Sequence, residues 1–249
     1  MFLSIVIPAF NESDNLERGA LEKVVHYLQK QPFEYEVIIV DDGSTDGSPA
    51  TLEMYVNNHP HWRLVKNSHQ GKAQTVAKGV AKAQGELVLF TDFDQATPLS
   101  EVEKLFPFVR KKYDIVIGSR EVKGSQRLKE PWYRHLMGRV FNLFVSLLAL
   151  RGIQDTQCGF KLFKARVAKD LFSRLVVYGP HPEKGAFTGA FDVEALYLAQ
   201  KSNYKIAEVP VRWKHVKTTR VNPVKDSIRM FFDLLRIRLT DLLGKYEVK

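Results

Sequence analysis

The 249 residues include 37 lysines and arginines against 28 aspartates and glutamates, a formal net charge of +9, and 45% are hydrophobic. A chain of this length and apolar content can bury a full core, which excludes a disordered protein and fits one globular domain over residues 1–249. The positive balance points to anionic partners, whether nucleic acid, an acidic membrane face or phosphorylated small molecules, and the lone Cys158 excludes an intrachain disulfide.

In chain order, the first half alternates short β-branched runs with helical patterns, the signature of a mostly parallel α/β sheet joined by right-handed crossovers. Strands are predicted at Leu3–Pro8, Glu36–Asp41, Trp62–Lys66, Glu86–Thr91 and Asp114–Gly118, and helices at Asp14–Lys30, Gly47–Asn58, Lys72–Gln84 and Ser100–Lys112. The second half is more basic, with helices expected at Pro131–Leu150, Ala165–Leu171 and Asp192–Lys201 and strands at Gly159–Phe163 and Lys205–Val211. Its last helix, Pro223–Leu243, lines up Ile228, Phe231, Phe232, Leu235, Leu239 and Leu242 on one side and Lys225, Arg229, Asp233 and Arg236 on the other. Such a helix either packs its apolar side on its own domain or lies on an anionic bilayer. The longest apolar run, Val140 to Leu150, is interrupted by Asn142 and Ser146 and falls short of the about 20 residues that a membrane-spanning helix needs. The amino terminus shows no basic segment followed by a cleavable apolar stretch, so a cytoplasmic protein is expected.

Parallel strands share one carboxyl end, and three acidic loops converge there. The first strand ends in Pro8-Ala9-Phe10-Asn11-Glu12, the second in Asp41-Asp42-Gly43-Ser44-Thr45-Asp46, and the fourth in Asp92-Phe93-Asp94. Two carboxylates one residue apart at a strand end can hold a divalent cation with a diphosphate, or stand as solvated loop residues. Asp41 can accept hydrogen bonds from a nucleobase edge or from ribose hydroxyls, Gly43 permits a turn, and Asp46 can cap the next helix. Gly71-Lys72 opens a helix whose amino terminus can attract phosphate, but the full P-loop pattern is missing.

Taken together, these motifs resemble, in order and spacing, the nucleotide-sugar-binding motifs of the inverting family 2 glycosyltransferases with the GT-A fold. Gly118-Ser119-Arg120, Arg134 with Met137-Gly138 and Phe141-Asn142, Asp155-Thr-Gln-Cys-Gly-Phe-Lys-Leu-Phe163, Phe191-Asp-Val-Glu194 and Val209-Pro-Val-Arg-Trp213 narrow the resemblance. They look like the dolichyl- or polyprenyl-phosphate branch, closest to the dolichyl-phosphate glucosyltransferases. The resemblance implies a nucleotide-sugar-binding half at residues 1–120, an acceptor-binding half at 121–222 and a C-terminal amphipathic helix at 223–249. It implies that Pro8, Phe10, Glu12, Asp41, Asp42, Lys72 and Phe93 line the donor. Asp92, Asp94 and Gln95 would surround Mg²⁺ or Mn²⁺ and the diphosphate, and Arg120 would pair with phosphate. Arg134, Arg139, Asp192, Glu194, His215 and Arg220 would serve the acceptor, with a structural role as the other reading of Asp192 and Glu194. The implied reaction moves one hexose, glucose from UDP-glucose or mannose from GDP-mannose, onto a polyprenyl or dolichyl phosphate at the cytosolic face of a membrane. A hydroxyl acceptor remains an alternative.

Two other classes stand against this. Nucleotidyl transfer also uses paired carboxylates at a sheet edge, but it wants a glycine-rich basic loop after the first strand, where this chain reads Ala-Phe-Asn-Glu. A nucleic-acid partner fits the net charge, yet three acidic clusters in the expected cleft and the lack of a base-reading motif argue against it.

Overall fold

A computed structural model describes residues 2–180, 189–216 and 223–246. The first strand, β1 (Phe2–Ala9), is apolar except for Ser4, with Ile5, Val6 and Ile7 fully buried, as befits a strand covered on both faces. It pairs in parallel with β2 (Glu34–Asp41) and β4 (Leu87–Thr91), and β2 pairs with β3 (Trp62–Lys66). Beyond β4 lie β7 (Phe160–Lys164), β5 (Ile115–Ser119) and β8 (Ile206–Pro210), giving the seven-stranded order β3-β2-β1-β4-β7-β5-β8. Only β7 runs against its neighbours. Thr91 pairs with Phe160, so this reversal brings residues 155–159 to the very edge where β4 releases Asp92.

Helices cover both faces. Against one, α2 (Ala20–Leu28) and α5 (Val102–Arg110) bury Leu21, Val24, Leu105 and Phe106. Against the other, α4 (Lys72–Lys82), α6 (Trp132–Leu148), α7 (Ala165–Ser173), α8 (Phe191–Lys201) and α9 (Pro223–Leu242) form a second core around Phe90 and Phe163. The expected helix over 14–30 is in fact two, α1 (Ser13–Glu17) and α2, because Gly19 takes a left-handed conformation with φ of 69°. Helix α3 (Ser48–Asn57) follows β2. A parallel pair, β6 (Gln126–Leu128) and β9 (Arg212–Lys214), is too short to register in the sequence pattern.

The last helix overturns the simpler expectation. Its buried residues are Asp233, Leu234 and Ile237, whereas Ile228, Phe232, Leu235, Leu239 and Leu242 face outward. Asp233 reaches the interior because the Tyr178 hydroxyl donates to it at 2.5 Å and Arg236 at 3.1 Å. Helix α6 behaves alike: Phe141 and Val145 are buried, while Trp132, Leu136, Leu143 and Leu147 are exposed. The two helices meet through an edge-on Phe144–Phe231 contact with ring centres 5.1 Å apart. Among the described residues, no helix is long and apolar enough to cross a membrane.

Candidate active site at the carboxyl edge of the sheet

The first two acidic loops are stitched together by their own polar groups. The Asn11 amide N–H donates to Ser44 Oγ at 2.8 Å, Thr45 N–H donates to Asn11 Oδ1 at 2.8 Å, and Glu12 N–H donates to Ser48 Oγ at 2.7 Å. Asp46 accepts from Ser48 N–H and Ser13 N–H, close to the capping role expected of it. Pro8 is buried at the end of β1, and Glu12 is buried beside Asn15, whose side-chain amide donates to it at 2.5 Å. Asp41 is buried too and accepts from Ser44 N–H.

Asp42 does something other than line a donor. Its two oxygens accept from Asn67 Nδ2, Gln70 N–H and Gly71 N–H, and Oδ2 lies 2.8 Å from His69 Nδ1. It therefore ties the 67–71 loop to β2, and the His69 ring is held stacked on Phe10 with centres 4.2 Å apart. Phe93 likewise turns away from the cleft into the core with Leu99 and Val102. In both cases burial and satisfied partners outweigh the expected donor contact.

The carboxylate pair leaves β4 as the sequence suggests. Asp92 N–H donates to Gly159 O at 3.1 Å, and a Cβ on Gly159 would lie 2.0 Å from Asp92 Oδ2, so only glycine lets β7 pass this close. Lys72, the first residue of α4, places its ammonium 2.6 Å from Asp92 Oδ1 and over the Phe90 ring. Burial and the neighbouring Asp92 push the Asp94 carboxyl up to about 6, against the backbone N–H of Ala96 and the charge of Lys72. Gln95 sits at a φ of 52°, donates through Nε2 to Asp92 O, and leaves its buried Oε1 unpartnered.

Behind this pair lies a second, deeper one. Lys161 on β7 is almost wholly buried, with its ammonium 2.7 Å from Asp192 Oδ1 and 2.5 Å from Cys158 O. Burial raises the Asp192 carboxyl against the pull of Lys161 and Lys72. Glu194, one helical turn's fraction away, does not face the cleft: it accepts from the N–H groups of Val176, Val177 and Tyr178 and from the Tyr246 hydroxyl. Four donors on one buried carboxylate make it a structural anchor, the structural one of the two readings the sequence allows for it, and not an acceptor contact.

Arg120 stands at the same edge, after β5, but its fork is already engaged. Nε and Nη2 each lie 2.8 Å from Asp155, and the guanidinium packs over Trp213 at 5.4 Å. Burial would raise the Asp155 carboxyl, yet Arg120 holds it down at about 2. A phosphate would meet the remaining Nη1, not the whole fork. Arg134 is near His215, which burial and Arg134 keep below the ordinary histidine range. Arg139 is exposed and 3.7 Å from Glu121. Arg220 lies outside the described residues.

The glycosyl transferase family 2 model matches residues 4–172, about two thirds of the chain. The chain belongs to glycosyl transferase family 2. This family 2 enzyme is 36% identical over 263 residues to a dolichyl-phosphate beta-glucosyltransferase of Dictyostelium discoideum, spanning 100% of this chain and 77% of that one. Its fold is the GT-A fold of solved transferases. With TM-score 0.61 and 20% identity it covers 98% of its own length and 67% of Staphylococcus aureus TarS 1-349 in complex with UDP-GlcNAc. With TM-score 0.55 and 18% identity it covers 98% of itself and 72% of the mannosyltransferase PcManGT of Pyrobaculum calidifontis, which holds GDP-Man and Mn²⁺.

Three residues of the Asp155–Phe163 motif have roles that the motif alone does not state. Lys161 is hidden inside an apolar strand, though a cation there requires a buried anion and so gives itself away. Asp155 belongs to a recognised motif without its partner being evident, since Arg120 comes from a strand 35 residues earlier. Gly159 matters only because β7 is antiparallel.

Proposed function

We propose that this glycosyltransferase moves one glucosyl residue from UDP-glucose to a dolichyl or polyprenyl phosphate with inversion. The observation that carries the reading is the closeness of a carboxylate cleft to a helix with an exposed apolar side: Gly159 touches Asp92, and two residues earlier Gln157 reaches the half-buried Met230 of α9 at 3.9 Å, on the helix whose Ile228 and Phe232 are exposed. A water-soluble donor and a lipid acceptor call for that junction.

The residues fit a divalent cation. Two carboxylates and the orphaned Gln95 Oε1 are hard oxygen donors, and Asp94 carries a charge that its surroundings leave poorly neutralised. Among the described residues no set of three or more His, Cys, Asp or Glu could hold a metal, so substrate phosphates would complete the shell, as Mg²⁺ prefers. Asp92, Asp94 and Gln95 would hold the ion, which when bound supplies charge neutralisation on the leaving diphosphate. PcManGT holds Mn²⁺ with its GDP-Man, which supports a divalent cation, Mn²⁺ or Mg²⁺, here.

In the transfer, an oxygen of the acceptor phosphate attacks the anomeric carbon from the face opposite UDP. The bond from that carbon to UDP breaks and UDP departs with the electron pair. A phosphate monoester is mostly dianionic at neutral pH, so no general base is required. The cleft agrees with that economy, because Glu194 is consumed by four hydrogen bonds and Asp192 is paired with Lys161. Arg120 Nη1 and Lys72 offer positive charge to the phosphates. The outward apolar residues of α6 and α9, flanked by Arg134, Arg139 and Arg236, would rest on a bilayer that presents the acceptor.

A transfer assay with Mg²⁺, a short polyprenyl phosphate and labelled UDP-glucose or GDP-mannose in parallel tests the proposal. Organic-soluble label from UDP-glucose alone is expected. Label from GDP-mannose alone would reassign the donor, and none from either would move the acceptor to a hydroxyl.

A further inference from the structure

The cleft holds a cation of its own. Lys72 donates to Asp92 Oδ1 at 2.6 Å, beside Asp94 and Asp192 and over the face of Phe90. Its side chain is a quarter exposed, while that of Asp92 is a third exposed, so the pair closes the mouth of the carboxylate cluster without being locked under it. By contrast, the deeper Lys161 is bound on two sides, by Asp192 and by Cys158 O, and is nearly inaccessible. One lysine is built into the floor; the other is placed where it can leave.

We propose that Lys72 is a placeholder for the divalent cation: in the donor-free transferase its ammonium occupies Asp92, and it is exchanged onto the diphosphate when metal and nucleotide arrive together. This rests on Asp92 and Asp94 being the metal-holding pair. A free metal ion must compete with this tethered ammonium for Asp92 Oδ1, so it binds poorly alone. A metal–nucleotide complex brings that acceptor with it, because the diphosphate offers new oxygens to a lysine on the first turn of α4, where the helix amino terminus also favours anions. Metal and nucleotide are then positively coupled, and by linkage each strengthens the other equally. The sequence gives the arrangement a simple basis: Gly71, with φ of 83°, starts the helix so that Lys72 overhangs β4 instead of solvent.

The test measures Mn²⁺ binding by electron paramagnetic resonance on the intact chain, with and without UDP, for wild type, Lys72→Met and Lys78→Met. Lys78 lies on the same helix but donates to Asn67, so its loss changes net charge equally without touching the cleft. Lys72→Met should tighten Mn²⁺ binding to the nucleotide-free protein on the order of tenfold and reduce its coupling to UDP, while Lys78→Met stays within about twofold. An unchanged Mn²⁺ affinity in Lys72→Met, or an equal gain in Lys78→Met, would overturn the placeholder while leaving the metal site in place. Failure of wild type to bind Mn²⁺ even with UDP would sink the metal site and the placeholder together. Should Lys72→Met not fold, the ε-carbon resonance of Lys72 in wild-type protein decides: it should shift on adding Mg²⁺ with UDP, and a resonance that stays put overturns the exchange.

Discussion

The two halves of the transferase handle apolar surface in opposite ways. Residues up to Ser119 bury nearly all of it: β1, β2 and β4 are covered on both faces, and the helices around them turn their apolar sides inward. Beyond Arg120, α8 is buried along most of its length, but α6 and α9 turn only narrow sides inward with polar groups helping to anchor them, as Asp233 does on Tyr178, while Leu147 is 71% exposed on α6 and Leu242 is 77% exposed on α9. A soluble nucleotide needs only a rigid edge with charges on it. A lipid acceptor needs a surface that water does not already satisfy, and a folded domain seldom leaves one exposed without a partner. Under the proposed function the difference would separate a donor platform from an acceptor platform, and each experiment below breaks one of them while leaving the other as a control.

The largest effect belongs to the donor edge. Asp94→Asn removes a negative charge and keeps the shape, so the transfer rate should fall by about 10³ with the fold intact. Because the folded protein holds a half-buried carboxylate there next to Asp92 at a cost, the variant should be at least as stable as wild type in thermal melting without ligand. A variant that still transfers at a tenth of the normal rate would remove Asp94 from the site.

Gly159→Ala strikes the same edge from the other half. The added methyl would sit 2.0 Å from Asp92, so the carboxylate or the strand must move by an ångström or more. A loss of about 10² in rate is expected, with KM for the donor rising, since misplacing a positioned group by that much is enough. If the rate is unchanged, Asp92 has freedom that the structure does not suggest.

Asp155→Asn tests the seam between the halves and reads out chiefly in stability. It leaves Arg120 buried without its counter-charge, which costs about 3–5 kcal/mol in comparable sites. The pH dependence has a definite sign. The folded carboxyl titrates at about 2, below the ordinary value of about 3.9, so its contribution is complete above about pH 4 and is lost as pH falls towards 2. Urea melts of wild type should lose stability across that window, and those of Asp155→Asn should not show that part of the loss.

Much of this architecture is legible in the sequence, for identifiable reasons. The strands β1 to β5 stand out because continuous apolar runs between turn residues have few other uses, and the three acidic loops follow from parallel strands sharing an end. What stays hidden depends on contacts between distant segments. Nothing local says that β7 runs backwards, that Asp42 will be used up by the 67–71 loop, or that Glu194 will collect three backbone N–H groups from residues 176–178. For α9 the sequence is actively misleading. An amphipathic pattern states which side is apolar, not which side is inside, and a helix with Asp233 buried under a tyrosine hydroxyl reverses the usual inference.

That reversal supplies the mildest and most discriminating experiment. Leu143→Ser and Leu147→Ser on α6, combined with Phe232→Ser and Leu239→Ser on α9, replace residues that are each more than half exposed. If the outer faces rest on a bilayer, transfer to a long-chain polyprenyl phosphate in anionic vesicles should drop about tenfold, which is about 1.4 kcal/mol in all and well below the about 1.5–3 kcal/mol that each side chain would give if fully buried, because side chains resting at the interface leave water only in part. Transfer to a short, water-soluble acceptor should be unaffected, and so should the thermal midpoint, since nothing buried has been removed. Loss of several degrees in the midpoint would mean instead that these faces are covered within the protein or by a second copy. Equal rates on both acceptors would leave the donor platform as described and detach the apolar helices from catalysis.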